Sequence, residues 1–230
     1  MRPINIAIDG YAGCGKSTLA RELAAALDYI FIDTGALYRA ITFLTISQEG
    51  GNLEQNASKA IAGKPELAFD SENNHILING TDCESQIRDM KVVAQVSEVA
   101  AIPAVRNYLK GVQKALVEKK GVVMEGRDIG TVIMPDAELK LFITASIEAR
   151  LHRRLNQLKQ EGKPSTEQEV KENLLHRDHI DANREVAPLA KASDAITIDT
   201  TELSREEQLK FTVAIAKPLI EPNRLLPHVL

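Results

Sequence analysis

The chain has no tryptophan and only four tyrosines and five phenylalanines, too few for a broad platform that stacks single-stranded nucleic acid. Cysteine is as scarce. Cys14 and Cys83 cannot build a disulfide framework, and two thiols fit a reducing cytoplasm. No apolar run approaches the ~18 residues of a membrane span. The start, Met1-Arg2-Pro3-Ile4-Asn5, does not read as a signal peptide, because Asp9 interrupts its apolar run. A basic excess is missing too. Lysine and arginine total 28 against 32 aspartates and glutamates, a formal charge of −4, which argues against dedicated duplex binding. Taken alone, that charge should also repel phosphates. His75, His152, His176, His179 and His228 show no metal-site spacing, and there is no internal repeat or low-complexity tract.

What is present is an ordinary globular composition over 230 residues, 44% of them apolar, enough for one medium-sized domain with a substantial core. Residues 4–8 form a short β-branched run that stops at Asp9-Gly10, as a buried parallel strand does. A helix follows from Ser17 to Leu27, with Leu19, Leu23 and Leu27 on one face. Further strands are expected at 29–32, 122–124, 139–143 and 195–198. Helical patterns lie between most of them, so the fold class is α/β with a parallel sheet of about five strands. Residues 67–70 and 75–78, joined by Asn73-Asn74, read as a hairpin and mark a small inserted lobe. Residues 147–185 are helical and crowded with charge. Gly162-Lys163-Pro164 interrupts them, and Ser165 and Gln168 have capping-box spacing. After Ala216, three prolines at 218, 222 and 227 predict an extended or disordered tail. No apolar stripe is left over for an interface, so a monomer is expected.

The first β–α turn carries the chemistry. Gly10-Tyr11-Ala12-Gly13-Cys14-Gly15-Lys16-Ser17 fits G-x-x-x-x-G-K-[ST], and Thr18 follows it in the nucleotide-binding turn. Backbone N–H groups around such glycines converge on a β-phosphate, Lys16 reaches the β- and γ-oxygens, and Ser17 offers a hydroxyl to Mg²⁺. The next helix adds the positive end of its dipole. Cys14 reads more simply as the small residue the loop tolerates than as an activated thiol. The loop leaves the acceptor open: water would make a switch or motor, a small molecule a kinase.

Three more groups follow in the chain. Thr34 and Arg39, after the second strand, offer a hydroxyl and a bidentate fork to a second anion. After the third strand, Glu125 is placed to hold Mg²⁺ through its waters, and Arg127 is a further anion clamp unless it merely pairs with Asp128. Arg177, Asp181 and Arg184 share one helix face, either as a ligand-binding stripe or as a solvated ladder. Arg150, Arg153 and Arg154 form a cationic group suited to a closing lid.

Ile8-Asp9-Gly10 with the phosphate loop, Asp33 to Arg39, Glu125 to Thr131, Arg177 to Arg184, and Ala187-Pro188-Leu189 with Ala192 to Ala195 together resemble the bacterial cytidylate kinases. These belong to the nucleoside monophosphate kinase group of P-loop proteins. The resemblance spans roughly residues 4–215. It implies a P-loop three-layer sandwich with core segments 1–38, 107–146 and 186–216. An NMP-binding lobe would span about 39–106 and a helical lid about 147–185, leaving a tail at 217–230. The implied reaction is transfer of the ATP γ-phosphoryl group to CMP or dCMP with Mg²⁺; another small-molecule P-loop kinase, acting on UMP or AMP, is the alternative. Arg39 and Arg127 would then bind the acceptor phosphate, and Arg177 and Asp181 would reach the sugar. Ser97, Arg106, Asp128 and Arg184 would surround the base, and Arg150, Arg153 and Arg154 would cover ATP. Glu125 stands where many relatives in that group carry Asp.

Overall fold

The computed structural model describes residues 2–163 and 165–221. Five parallel strands form the central sheet: β1 (Asn5–Gly10), β2 (Ile30–Asp33), β6 (Val122–Gly126), β7 (Leu139–Thr144) and β8 (Ile196–Asp199), in the order β2-β6-β1-β7-β8. All five were legible as short apolar runs. Alternation along β1 sends Ile6 and Ile8 to one face and Ala7 and Asp9 to the other. On the first face they join Leu19 and Leu23 of α1 (Lys16–Leu27) and Ala216 and Ile220 of α9 (Arg205–Ile220). On the second face Ala7 packs with Ile32, Met124, Ile129 and Met134. Register brings the carboxyl ends together: Ile8 and Asp33 both stand opposite Glu125, and Gly10 stands opposite Ile143. A side chain at Gly10 is impossible, because its Cβ would lie 2.0 Å from the Ile143 carbonyl oxygen.

Between β2 and β6 the chain builds a separate cluster. It comprises α2 (Thr34–Ile46), α3 (Leu53–Ala62), β3 (Leu67–Phe69), β4 (Ile76–Ile78), β5 (Thr81–Asp82), α4 (Glu84–Ile87), α5 (Met90–Ala101) and α6 (Pro103–Leu116). Leu37, Ile41, Ile76, Ile87, Val99 and Leu109 form its buried centre. The expected hairpin is β3–β4, but the antiparallel sheet has a third strand, β5. Its two exposed polar residues carry no periodic signal. Pro103 forces Ile102 out of helical geometry and separates α5 from α6.

After β7, helices α7 (Ile147–Gln160) and α8 (Glu167–Asn183) form a hairpin around Leu151, Leu158, Val170 and Leu174. Its capping box lies one residue beyond the expected Ser165–Gln168 pair. Thr166 caps α8 with Glu169, which places Val170 and Leu174 on the inner face. The chain end differs as well. Helix α9 continues through Pro218 to Ile220 instead of stopping at Ala216. Buried Ile220 holds that last turn against the core, and its carbonyl accepts from Arg2 N–H at 3.0 Å. Pro222 and Pro227 lie outside the described residues.

Candidate active site

The carboxyl end of the sheet opens into a cavity of about 810 Å³, bounded by the phosphate loop, α2, α5, the β6 end and the α7–α8 hairpin. Ala12, Gly13, Gly15, Lys16, Ser17 and Thr18 line it, whereas Gly10, Tyr11 and Cys14 lie behind its wall. Gly13 and Gly15 adopt φ values of +75° and +91°, the left-handed turns that glycine makes without strain. Gly15 begins α1 with no side-chain cap, and the first turn has no acidic residue. Those first-turn N–H groups therefore face the cavity as an anion site. Cys14 is fully buried, and its thiol donates to the Tyr11 carbonyl at 3.0 Å, so it behaves as a packed small residue.

Lys16 Nζ donates to the Tyr11 carbonyl at 2.7 Å. Burial, with Arg127 adding to it, lowers the pKa of this lysine. Ser17 donates its hydroxyl to Glu125. Burial and the neighbouring Asp33 raise Glu125 above the ordinary glutamate range. One hydroxyl and one carboxylate, side by side at the mouth of a phosphate loop, are a hard-oxygen donor pair that fits Mg²⁺ completed by waters and phosphate oxygens.

Thr34 lines the cavity. Its hydroxyl donates to the Glu125 carbonyl at 2.7 Å, so the proton meant for an anion is already used. Arg39 does face the cavity, held at 2.9 Å by Asp33, which also caps α2 through Ala36 N–H. Burial would raise Asp33, but the Arg39 guanidinium outweighs it and leaves its pKa lowered.

Arg127 pairs with Asp181 at 2.8 Å, not with its sequence neighbour Asp128. Burial works against its charge, yet Asp181 more than restores it and raises its pKa. Asp128 instead lies between Arg106 at 2.6 Å and Arg184 at 3.2 Å, and Arg184 reaches Asp181 at 3.5 Å. Asp181 and Arg184 are buried, which removes the solvated-ladder alternative. Asp128, Arg184 and Ser97 line the cavity, but Arg106 stands one layer behind, donating also to the Ala100 carbonyl at 3.2 Å. Arg177 makes no hydrogen bond or ion pair among the described residues, and its buried Nε is unpartnered. Burial and the nearby Arg127 lower its pKa to about 10. A cation left without a protein partner in such a cavity is aimed at a ligand.

The lid arginines separate. Arg154 lines the cavity, bonded among the described residues to Gln157 at 2.8 Å. Arg153 also lines it but is tied to Thr200 and the Cys14 carbonyl. Arg150 lies outside the cavity, under the loop, bonded to the Ala12 carbonyl and Asp178. Arg88, on the lobe side, lines the cavity and escaped the sequence reading because no motif surrounds it.

Asp9 was missed for a different reason: its partners are remote. Its two oxygens accept from Ile129 and Gly130 N–H, both at 2.8 Å, and so fix the turn that follows Asp128. Burial outweighs those bonds and lifts its pKa from 3.8 to about 6. The folded state therefore holds a proton that the unfolded chain has lost between pH 4 and pH 6. The Asp9 contribution to stability falls through that window, by up to about 3 kcal/mol. In parallel urea titrations the parent should lose about that much relative to Asp9→Asn between pH 4 and pH 6; identical pH profiles would remove the assignment.

The cytidylate kinase family model matches residues 6–217. A cytidylate kinase from Bacteroides fragilis is 42% identical, with the match covering 93% of this chain and 96% of that protein. One from Flavobacterium psychrophilum is 44% identical, covering 93% of this chain and 97% of that protein. Among solved structures, an uncharacterized protein from Eubacterium ventriosum shares the fold at a TM-score of 0.50 and 13% identity, over 93% of this chain and 98% of that one. A match to one family across nearly the whole length, with relatives above 40% identity over the same span, means that the chain belongs to the cytidylate kinase family.

Proposed function

We propose that this protein transfers the γ-phosphoryl group of ATP in line to the 5′-phosphate of CMP or dCMP, giving CDP or dCDP. The observation that carries the reading is one cavity lined by an uncapped helix N-terminus, by Asp128 and Arg184 of a buried Arg–Asp–Arg network, and by Arg177, unpaired among the described residues. The acceptor phosphate is largely a dianion at pH 7, since its second pKa is about 6. It needs no general base. What must be supplied is charge neutralisation and exclusion of water.

The phosphate loop and Lys16 hold the donor phosphates. Arg39 and Arg127 bind the acceptor phosphate, and Arg177 and Arg154 neutralise the group in transit. Ser17 and Glu125 would hold Mg²⁺, which would supply positive charge to offset that of the phosphates. Ser97 and Asp128 accept from the cytosine amino group, Arg184 donates to its acceptors, and Arg106 orients Asp128. Asp181 serves the sugar and fixes Arg127. The lobe at about 39–106 and the hairpin at 147–185 close over the nucleotides and keep water out. The reading makes the protein a cytoplasmic monomer; no described helix is long and apolar enough to cross a membrane.

A coupled assay offering CMP, dCMP, UMP and AMP separately tests it. CMP and dCMP should be preferred; a preference for UMP or AMP would replace the base assignment.

A further inference from the structure

The phosphate loop is not a free-standing turn. Ala12 N–H donates to Asp178 Oδ1 at 3.0 Å, and the Ala12 carbonyl accepts from Arg150 Nη1 at 3.1 Å. Asp178 Oδ2 closes the ring by pairing with the same Arg150 nitrogen. Both polar groups of one loop residue are thus bound by one ion pair, and that pair bridges α7 and α8. The ring is sheltered: Arg150 and Asp178 side chains are 8% and 13% exposed. The Arg150 guanidinium also lies 5.6 Å from the Tyr11 ring centroid. Beneath it, Ala12 packs with Leu151 and Leu174. A Cβ at Gly13 would meet Leu174 at 3.1 Å and Arg150 at 3.6 Å, so the loop front is seated directly on the hairpin.

Neither Asp178 nor Arg150 lines the cavity. Asp178 is nevertheless the residue after Arg177 and three before Asp181, which holds Arg127. One side of α8 grips the loop while an adjacent side presents the cations. Any slip of α8 relative to the loop displaces Arg177 and Asp181 together. A carboxylate is suited to this place because one oxygen takes a backbone N–H while the other holds a guanidinium.

We infer that Asp178 is a positioning residue which, with Arg150, holds the front of the phosphate loop in register with Arg177 and Arg127. The inference rests on the reading that Arg177 meets the transferring phosphoryl group. Misplacing reacting groups by about 1 Å can cost on the order of 100-fold in rate. Asp178→Ala should therefore lower kcat by about 10- to 100-fold. The rise in KM for CMP should be the smaller effect, because Arg127 and Arg184, which hold CMP, stay bonded to Asp181 on α8 whichever way the loop moves. Asp178→Asn retains an acceptor for Ala12 N–H and should recover part of that loss, and it decides the matter if the alanine variant does not fold. The double variant Arg150→Met with Asp178→Ala should cost no more than Asp178→Ala alone, since the two act as a unit.

Steady-state kinetics of the full chain, at a temperature where each variant is folded, are the test. A kcat within twofold of the parent in Asp178→Ala, or a loss confined to the KM for CMP, overturns the inference. A lowered melting temperature with unchanged kcat would show a structural brace only, which also overturns it. Arg177→Met separates the two levels. If it retains parental kcat, the reading of Arg177 fails. If it collapses kcat while Asp178→Ala does not, the positioning inference alone fails.

Discussion

Replacing Asp128 with alanine is expected to erase the preference for CMP over UMP and to destabilise the fold by about 3–5 kcal/mol. Asp128 is buried between Arg106 at 2.6 Å and Arg184 at 3.2 Å. Its removal leaves buried Arg106 without its carboxylate partner and leaves Arg184 with the more distant Asp181 at 3.5 Å. The specificity argument is independent of that cost. Cytosine presents an amino donor where uracil presents an oxygen. A carboxylate accepts from the amino group, but against uracil it meets an acceptor and leaves buried groups unpaired, and such mismatches discriminate strongly. Urea unfolding reads the stability loss, and kcat/KM for the two nucleotides reads the discrimination. An unchanged ratio of CMP to UMP would show that Asp128 does not face the base.

Lys16→Met should lower kcat by about 100- to 1,000-fold, the usual loss when one preorganised charge donor is removed from a phosphate or oxyanion site. The same substitution should leave the melting temperature unchanged or higher. Lys16 is buried, and burial together with Arg127 already depresses its pKa, so the folded state carries a cost for its charge. Calorimetry beside steady-state kinetics checks both halves. A large fall in melting temperature would mean that the lysine bond to the Tyr11 carbonyl is a structural tie.

The core strands were legible because each is a short run rich in apolar residues, and the phosphate loop because its spacing is dictated by backbone geometry. The partners of the charged residues were not legible. For Arg127, read as an anion clamp, the adjacent Asp128 was the alternative partner, yet its carboxylate comes from Asp181, 54 positions away. Asp178 meets Ala12 across 166 positions, and Asp9 meets Gly130 across 121. Sequence periodicity reports which face a residue occupies, not what the facing element carries. The same limit applies to Arg150, whose guanidinium was expected to cover ATP and is bonded instead to the Ala12 carbonyl and Asp178. Pro218 misled for a local reason, since a proline in the final turn of α9 does not end it while Ile220 is buried.

The formal charge of −4 turns out to say little about anions. Lys16, Arg39, Arg127, Arg154 and Arg177 come from separate elements and line one cavity, while acidic residues populate exposed helix ends such as those of α8 and α9. Tyr38 lines the same cavity beside Asp128, Arg184 and Ser97.

The central claim is that the cavity couples ATP turnover to a nucleotide acceptor. Measuring ADP formation by the full chain with and without CMP tests it most directly. The account predicts rapid ADP release that requires CMP and matches CDP formed one for one; ADP formation at the same rate without an acceptor would contradict it.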